Sequence, residues 1–328
     1  MSVHGDFTSW NFKIRLKRLP DSDLFYTTLA FEEDARLDYL LIVNTKEILD
    51  PNNPSVSPSG YGDHSELAMP GFVRSGEYLP TSSIRKGTVT SFTHSSRALG
   101  YSRTVFVYLP AGYDTARSRF ATIYFQDGSD YINFAKAPTV LDNLIASGSI
   151  PPVIGVFVVP PAEPNRNRKT EYALNDAYVN FFTTELIPFV DKKYNTKQTA
   201  ADRYVIGDSY GGLMSLYIGF VAPDSVGNVA SQSGRVSFRN DTLWTMFKES
   251  HPKRLRIYLD VGKYERNVGE SPGCSGEGDF HAANQRLKRI LHQQGYMYHF
   301  REFNDGHSWS RWRNELPYIL RWFLSATQ

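Results

Sequence analysis

Residues 203–220 read RYVIGDSYGGLMSLYIGF: an apolar, β-branched run, then three glycines crowded around one serine, then a helix-forming stretch. A strand that turns sharply into a helix brings the two so close that the positions two before and two after the turning residue must be small. Gly207, Ser209 and Gly211 have this spacing, and Gly212 adds room. The turn holds the Ser209 hydroxyl out at the end of the strand. A serine hydroxyl is a poor nucleophile at neutral pH and needs a base within hydrogen-bond reach. The helix that follows directs backbone N–H groups and a positive dipole end toward an oxyanion. The segment thus predicts a local fold, strand–turn–helix, and a chemistry, attack of Ser209 on an acyl carbon.

The chain around this turn alternates strands and helices. From Lys86 onward, GTVTSFTH and RTVFVYLP read as paired strands. ATIYF, VIGVFVV, RYVIGDS, GNVASQS and LRIYLDVG are short runs of the kind buried on both faces. Between them, AYVNFFTTELIPFVDKKY places Tyr178, Phe181, Phe182, Leu186, Ile187 and Val190 on one helical face, with a kink expected at Pro188. FHAANQRLKRILHQQG and SWSRWRNELPYILRWFL are amphipathic helices. The class is α/β, a mostly parallel sheet with helices on both faces. Residues 1–80 differ. FKIRLKRL, LFYTTLAF and LDYLLIVN suggest an antiparallel β module, and LDPNNPSVSPSGYGDHSELAMPGF reads as a long ordered connection. The expected division is 1–80, a small β-sandwich with its linker, and 81–328, the catalytic domain.

Composition removes several function classes. With 36 basic and 34 acidic side chains and no basic block, nucleic acid is not an expected partner. Cys274 is the only cysteine, so no intrachain disulfide forms. The N-terminus lacks an apolar core of signal-peptide length, and the longest apolar run, Pro152 to Pro161, is too short to span a bilayer. A soluble protein without a membrane partner is expected, cytoplasmic as written, or periplasmic or secreted where an export signal has been removed. Monomer and homodimer both stay open. The absence of H-E-x-x-H, paired C-x-x-C, P-loop and G-x-G-x-x-G patterns implies no metal and no cofactor.

A serine on such an elbow is followed along the chain by an acid and then a histidine. Among the downstream histidines, His307 lies in a loop after the strand MYHFREF and before the last helix, where α/β sheets place chemistry. His281 opens a helix and borders the site. LRIYLDVGKYERN offers two acids, Asp260 at the strand end and Glu265 in the turn beyond. Glu265 has the better loop placement, and Asp260 is the alternative. The second oxyanion donor is expected in IYFQDGSDYINF, where Gly128 lets the backbone approach the substrate and the N–H of Ser129, or of Gly128, joins that of Tyr210. Tyr131, Phe134, Tyr172, Tyr210 and Trp309 follow these motifs closely, and Tyr131 and Trp309 are taken as pocket residues. The Gly/Ser-rich loop 271–280 is a candidate lid.

RTVFVYLPAGYD, YFQDG, RKTEYALNDAYVNFFTTELIPFVDKKY, VIGDSYGGLMSLY, VASQSG, LDVGKYE and NDGHSWSRWRNELP, in this order, resemble the enterochelin-esterase-like esterases. These are α/β-hydrolases that include bacterial feruloyl and acetyl xylan esterases. The likeness runs from about Gly87 to the C-terminus. It implies that Ser209 is the nucleophile, His307 the base and Glu265 the acid. It also implies that Arg168 and Glu171, an R-x-x-E pattern, lie beside the pocket, with Arg168 at the substrate. GDSYGGL is nearer the siderophore-esterase branch than the feruloyl esterases, which often carry Met after the serine. VHGDFTSW and LDPNNP are similar to Ig-like modules of the glycogen-binding type, here expected without their first strand, with Trp10 packed inside. The expected function is a serine carboxylesterase acting on a small-molecule or glycan-linked ester. The alternatives are a feruloyl or acetyl xylan esterase on plant polysaccharide, and a carbohydrate-binding protein whose hydrolase domain is idle.

Overall fold

The computed structural model describes residues 1–58, 60, 62–113, 118–163, 166–268 and 278–325. The N-terminal part contains β1 (Ser2–Gly5), β2 (Ile14–Arg15), a separate two-stranded ribbon of β3 (Lys17–Arg18) and β4 (Phe25–Tyr26), and then β5 (Arg36–Val43), β6 (Lys46–Ile48), β7 (Val56–Ser57) and β8 (His64–Ala68). Apart from the ribbon, these strands form one six-stranded antiparallel sheet, ordered β2-β1-β5-β8-β7, with β6 also on β5. β5 is its hub, and Leu37 and Leu41 of this strand are buried.

Two expectations change here. LFYTTLAF contributes only Phe25 and Tyr26 to pairing. Its apolar side chains, including Leu24, Phe25, Leu29 and Phe31, instead line a cavity of about 570 Å³ with Leu41 and Leu67. The segment called a connection carries β7 and β8, and β8 pairs with β5 in the register Arg36↔Ala68 to Tyr39↔Ser65. Strands this short show no period of their own; pairing makes them, β8 on β5 and β7 on β8.

The second sheet has eight strands: β9 (Thr88–Ser96), β10 (Tyr101–Leu109), β11 (Ala121–Phe125), β12 (Val153–Val158), β15 (Arg203–Asp208), β16 (Asn228–Gln232), β17 (Arg256–Gly262) and β18 (Met297–Phe303). β13 (Ala162–Glu163) and β14 (Arg166–Asn167) form a separate ribbon. The order is β18-β17-β16-β15-β11-β12-β10-β9, parallel from β18 to β12 and antiparallel through β10 and β9. β11, β12, β15 and β16 are buried along their whole length, which is why they are mostly apolar or small, with the polar Arg203, Asp208, Asn228 and Gln232 confined to strand ends.

The helices are α1 (Gly128–Asn133), α2 (Ala137–Ala146), α3 (Arg168–Tyr172), α4 (Asp176–Asn180), α5 (Ile187–Lys193), α6 (Tyr210–Val221), α7 (Phe238–Glu249), α8 (Phe280–Gln293) and α9 (Trp309–Leu324). They cover both faces of the sheet. One core joins Phe181, Leu213, Phe247 and Leu287; the other joins Val140, Leu141, Trp312 and Leu316. Between α4 and α5 the chain forms a π-helical segment, Phe181–Leu186. Pro188, which cannot donate to the preceding turn, stands in the first turn of α5, directly after this widened segment. Among the described residues, no helix is long and apolar enough to cross a membrane. After β11 the chain first adds β12 on one side and later β15 on the other. The strand order therefore reverses at β11, and the ends of β11 and β15 are where an α/β sheet of this kind places its ligand site.

The two sheets meet at a buried cluster of charge. Arg36, at the start of β5, lies among Asp38, Glu66 and Asp305, and Asp6 sits beside them. Burial pushes the carboxyls of Asp6 and of Asp260 on β17 up to about 7, and that of Asp305 up to about 8. The folded chain thus keeps protons that the unfolded chain releases near pH 4. The stability this contributes is complete below about pH 4 and is lost as the pH rises through 7 to 8. Burial lowers the pKa of His4, His94 and His299, and their opposing effect is complete once the pH passes the ordinary histidine value of 6.5. The melting temperature is therefore expected to fall by a few degrees between pH 6.5 and about pH 8.5. Scanning calorimetry across that window checks it, and a rising Tm would contradict the assignment.

Candidate active site

Ser209 sits between β15 and α6 with φ 53° and ψ −115°. A non-glycine residue held there costs on the order of 1–3 kcal/mol. Three clashes define the turn. A side chain on Gly207 would overlap the backbone of Gly211, one on Gly211 would meet Asp127 Oδ2 at 2.7 Å, and one on Gly212 would meet Ser231 Oγ at 2.6 Å. The spacing seen in the sequence thus has a separate steric cause at each glycine. The Ser209 N–H donates to Gln232 O at 2.8 Å, and Ser209 O accepts from the N–H of Arg235 at 3.0 Å. The nucleophile's backbone is therefore tied on both sides to the turn after β16.

The same turn holds the acid. Ser233 Oγ donates to Glu265 Oε1 at 2.7 Å and accepts from Trp312 Nε1 at 3.0 Å. Glu265 Oε1 also accepts from the Gly262 N–H at 2.7 Å, and Oε2 lies 2.7 Å from His307 Nδ1. The His307 ring stands edge-on to Phe280 and Trp312, with centroids 5.2 and 4.8 Å away. Asp260 has other work: its carboxylate takes the Ser233 N–H at 3.3 Å and Gln232 Nε2 at 3.4 Å. Glu265 is thus the acid that meets the histidine, and Asp260 fixes the turn. Ser209, Glu265 and His307 follow β15, β17 and β18, all at one edge of the sheet. Among the described residues no hydrogen bond joins Ser209 to His307. Without substrate, catalytic hydrogen bonds are often longer than in the working complex.

Tyr210 is the first residue of α6, and Gly128 and Ser129 are the first two of α1, so their N–H groups have no acceptor within their own helices. The contact between Gly211 and Asp127 packs these two helix starts together. Gly128 itself answers a different need from the one expected. A side chain there would overlap the backbone of Phe157 and Val158, so its smallness serves the approach to β12.

Several expected pocket residues do other things. Arg168 spends its guanidinium on Asp127, at 2.6 and 2.7 Å, and on the Asp208 carbonyl and carboxylate, each at 3.0 Å. It clamps the α1 loop to the end of the nucleophile's strand. Burial pushes the Asp208 carboxyl well above the usual range, and the Arg168 guanidinium acts in the opposite direction without cancelling it. Glu171 is buried against Arg103 and Tyr101. Tyr131 is fully buried and donates to Gln232 Oε1 at 2.9 Å, and Trp309 packs edge-on against it in the core. Both sit on helices whose sheet-facing side carries them inward. Tyr172, also buried, accepts the Asp127 N–H at 3.1 Å. His281 meets the site through its backbone N–H, which donates to Glu265 O at 3.2 Å, while its ring lies 2.6 Å from Glu302. Trp10 is held by Asp6 Oδ1 at 3.0 Å and by the His4 and His64 rings, as packing requires. Of the proposed lid 271–280, residues 271–277, Cys274 included, lie outside the described residues.

Sequence reasoning passed over Ser233 and Arg235. Arg235 places its guanidinium over the rings of Tyr210 and Phe280, 5.3 and 5.6 Å from their centroids, beside the nucleophile. One arginine in SQSGRVSF carries no pattern that marks it.

The family model described as "Putative esterase" matches residues 96–323. The Bacillus subtilis (strain 168) protein YjcH, described as uncharacterized, is 31% identical over 243 residues, which is 73% of this chain and 99% of that protein. The iron(III) enterobactin esterase of Dickeya dadantii (strain 3937) is 24% identical over 356 residues, covering 95% of this chain and 79% of that one. The crystal structure of ferric enterobactin esterase from Salmonella typhimurium superimposes with a TM-score of 0.83 at 21% identity, over 98% of this chain and 88% of that one. The α/β-hydrolase sheet, the serine elbow at its reversal point and these similarities lead to one statement: the chain belongs to the Esterase family of carboxylic ester hydrolases.

Proposed function

We propose that the protein is a serine carboxylesterase working through an acyl-enzyme on Ser209. The observation that carries this reading is the 2.7 Å contact of His307 Nδ1 with buried Glu265, tied through Ser233 to the turn that holds Ser209. His307 Nε2 takes the Ser209 proton as Oγ attacks the ester carbonyl. The oxyanion rests on the N–H groups of Tyr210 and of Ser129 or Gly128. His307 returns the proton to the leaving alcohol, then activates water to release the acid. Glu265 keeps the imidazole in the tautomer with its proton on Nδ1 and stabilises the imidazolium. The enterobactin esterases among the relatives favour an ester of the siderophore type as substrate.

The test is fluorophosphonate labelling with mass-spectrometric mapping, run beside a panel of p-nitrophenyl esters, feruloyl sugars and a catecholate trilactone. The expected result is one label, on Ser209, that abolishes turnover, with the trilactone the best ester. Turnover that survives complete labelling of Ser209 would contradict the mechanism; preference for feruloyl sugars would move the substrate and leave the mechanism standing.

A further inference from the structure

We infer that the N-terminal sheet belongs to the catalytic machinery: Arg36 on β5 is a positioning residue that holds the turn carrying His307. This rests on His307 being the base.

The turn Asn304–Asp305–Gly306 joins β18 to His307, and Ser308 then caps α9. From the hydrolase side it is held by the Tyr264 N–H, which donates to Asp305 O at 3.2 Å. From the other side the N-terminal sheet grips it. The Arg36 N–H donates to Asn304 O at 2.9 Å, and Arg36 pairs with Asp305 in a parallel bridge. Arg36 Nη1 donates to Ser308 Oγ at 2.7 Å and reaches Asp305 Oδ1 at 3.4 Å. One guanidinium therefore grips the residues on both sides of Gly306–His307. It is itself aimed by Glu66 Oε2 at 2.9 Å and by Asp38.

Gly306 supplies an independent observation. Its φ is not among the positive values, so conformation does not demand glycine. Space does: any side chain there would overlap the carboxyl of Asp6. Asp6 is fixed in turn by the Asp38 N–H at 2.7 Å and Trp10 Nε1 at 3.0 Å. The residue before the histidine is thus pressed against the N-terminal sheet. Further ties run from Asp34 to Asn304 at 2.6 Å, from Glu32 to Tyr264 at 2.6 Å and from Ser57 to Ser310 at 2.9 Å. Tyr264 precedes the acid Glu265, so the acid too has a neighbour tied to the N-terminal part, through Glu32 in the loop before β5.

Energetics point the same way. Burying an arginine among carboxylates is a weak stabilising device, because desolvation offsets most of the attraction. What such a cluster does well is fix one geometry. A general base displaced by about 1 Å loses on the order of 10²-fold in rate.

The test uses the full-length chain with p-nitrophenyl acetate, reading kcat and KM separately, with Tm as the check on folding. Arg36→Met is expected to lower kcat by about 10²-fold with KM within about threefold, and Arg36→Lys to recover roughly tenfold of that. Gly306→Ala is expected to lose at least about tenfold in kcat, and pairing it with Asp6→Ala to restore most of it, because the second change removes the clash. Folded Arg36→Met or Gly306→Ala with wild-type kcat overturns the inference, as does a loss confined to KM. If Arg36→Met does not fold, the Gly306/Asp6 pair decides. Ser209→Ala runs alongside: full activity there overturns the esterase mechanism itself, whereas an inactive Ser209→Ala beside an active Arg36→Met overturns only the role of Arg36.

Discussion

Ser209→Ala is expected to lower kcat for an activated aryl ester by about 10⁵-fold or more while leaving the melting temperature at or above the wild-type value. The size follows from what is removed. Without Oγ no acyl-enzyme forms, and the His–Glu pair has nothing to activate. In enzymes of this design a single loss of the nucleophile costs nearly as much as losing the whole constellation, and the residue left comes from substrate binding and the oxyanion donors. The fold should not suffer, because the contacts that hold residue 209 are backbone bonds to Gln232 and Arg235. A stopped assay on protein checked by circular dichroism suffices. Turnover within tenfold of wild type would remove Ser209 from the chemistry.

Glu265→Gln is expected to lower kcat by about 10³- to 10⁴-fold. The substitution is unusually clean here. Oε1 accepts from the Gly262 N–H and the Ser233 hydroxyl, both donors, so the amide oxygen takes that position. The amide nitrogen is then forced to Oε2, facing His307 Nδ1 at about the present 2.7 Å. An NH₂ group there donates to Nδ1, which puts the ring proton on Nε2 and removes the lone pair that receives the serine proton. Packing is kept and the tautomer is wrong. Asp260→Asn, whose carboxyl accepts from Ser233 N and Gln232 Nε2 and makes no hydrogen bond to His307 among the described residues, should stay within about tenfold of wild type. If Asp260→Asn is the more damaging of the two, the acid has been misassigned.

What could be read from the sequence was whatever is enforced locally. The elbow is legible because each glycine answers a clash within a few residues of Ser209 or at the neighbouring strand ends. The histidine and the acid are legible because parallel strands present their following loops at one edge, so chain order becomes spatial order. Tyr131 and Trp309 were misplaced because closeness in sequence to a catalytic motif does not determine which side of a helix faces the core. β7 and β8 were missed because a strand of two to five residues exists only through its partner: β8 pairs with β5, far back in the chain, and β7 pairs only with β8. The roles of Arg36 and Gly306 were out of reach for a stronger reason. Nothing in either stretch announces that two separate sheets meet there, and only the assembled structure brings residue 36 to residue 308.

The left-handed backbone at Ser209 has a consequence for the molecule as a material. The fold is strained at a residue its chemistry cannot do without, so selection for heat resistance alone would act against that residue. A glycine at this position would relax the bend and give a sturdier, inert protein. Laboratory evolution of this chain toward robustness must therefore screen for turnover at every round, or it will drift toward a well-folded shell.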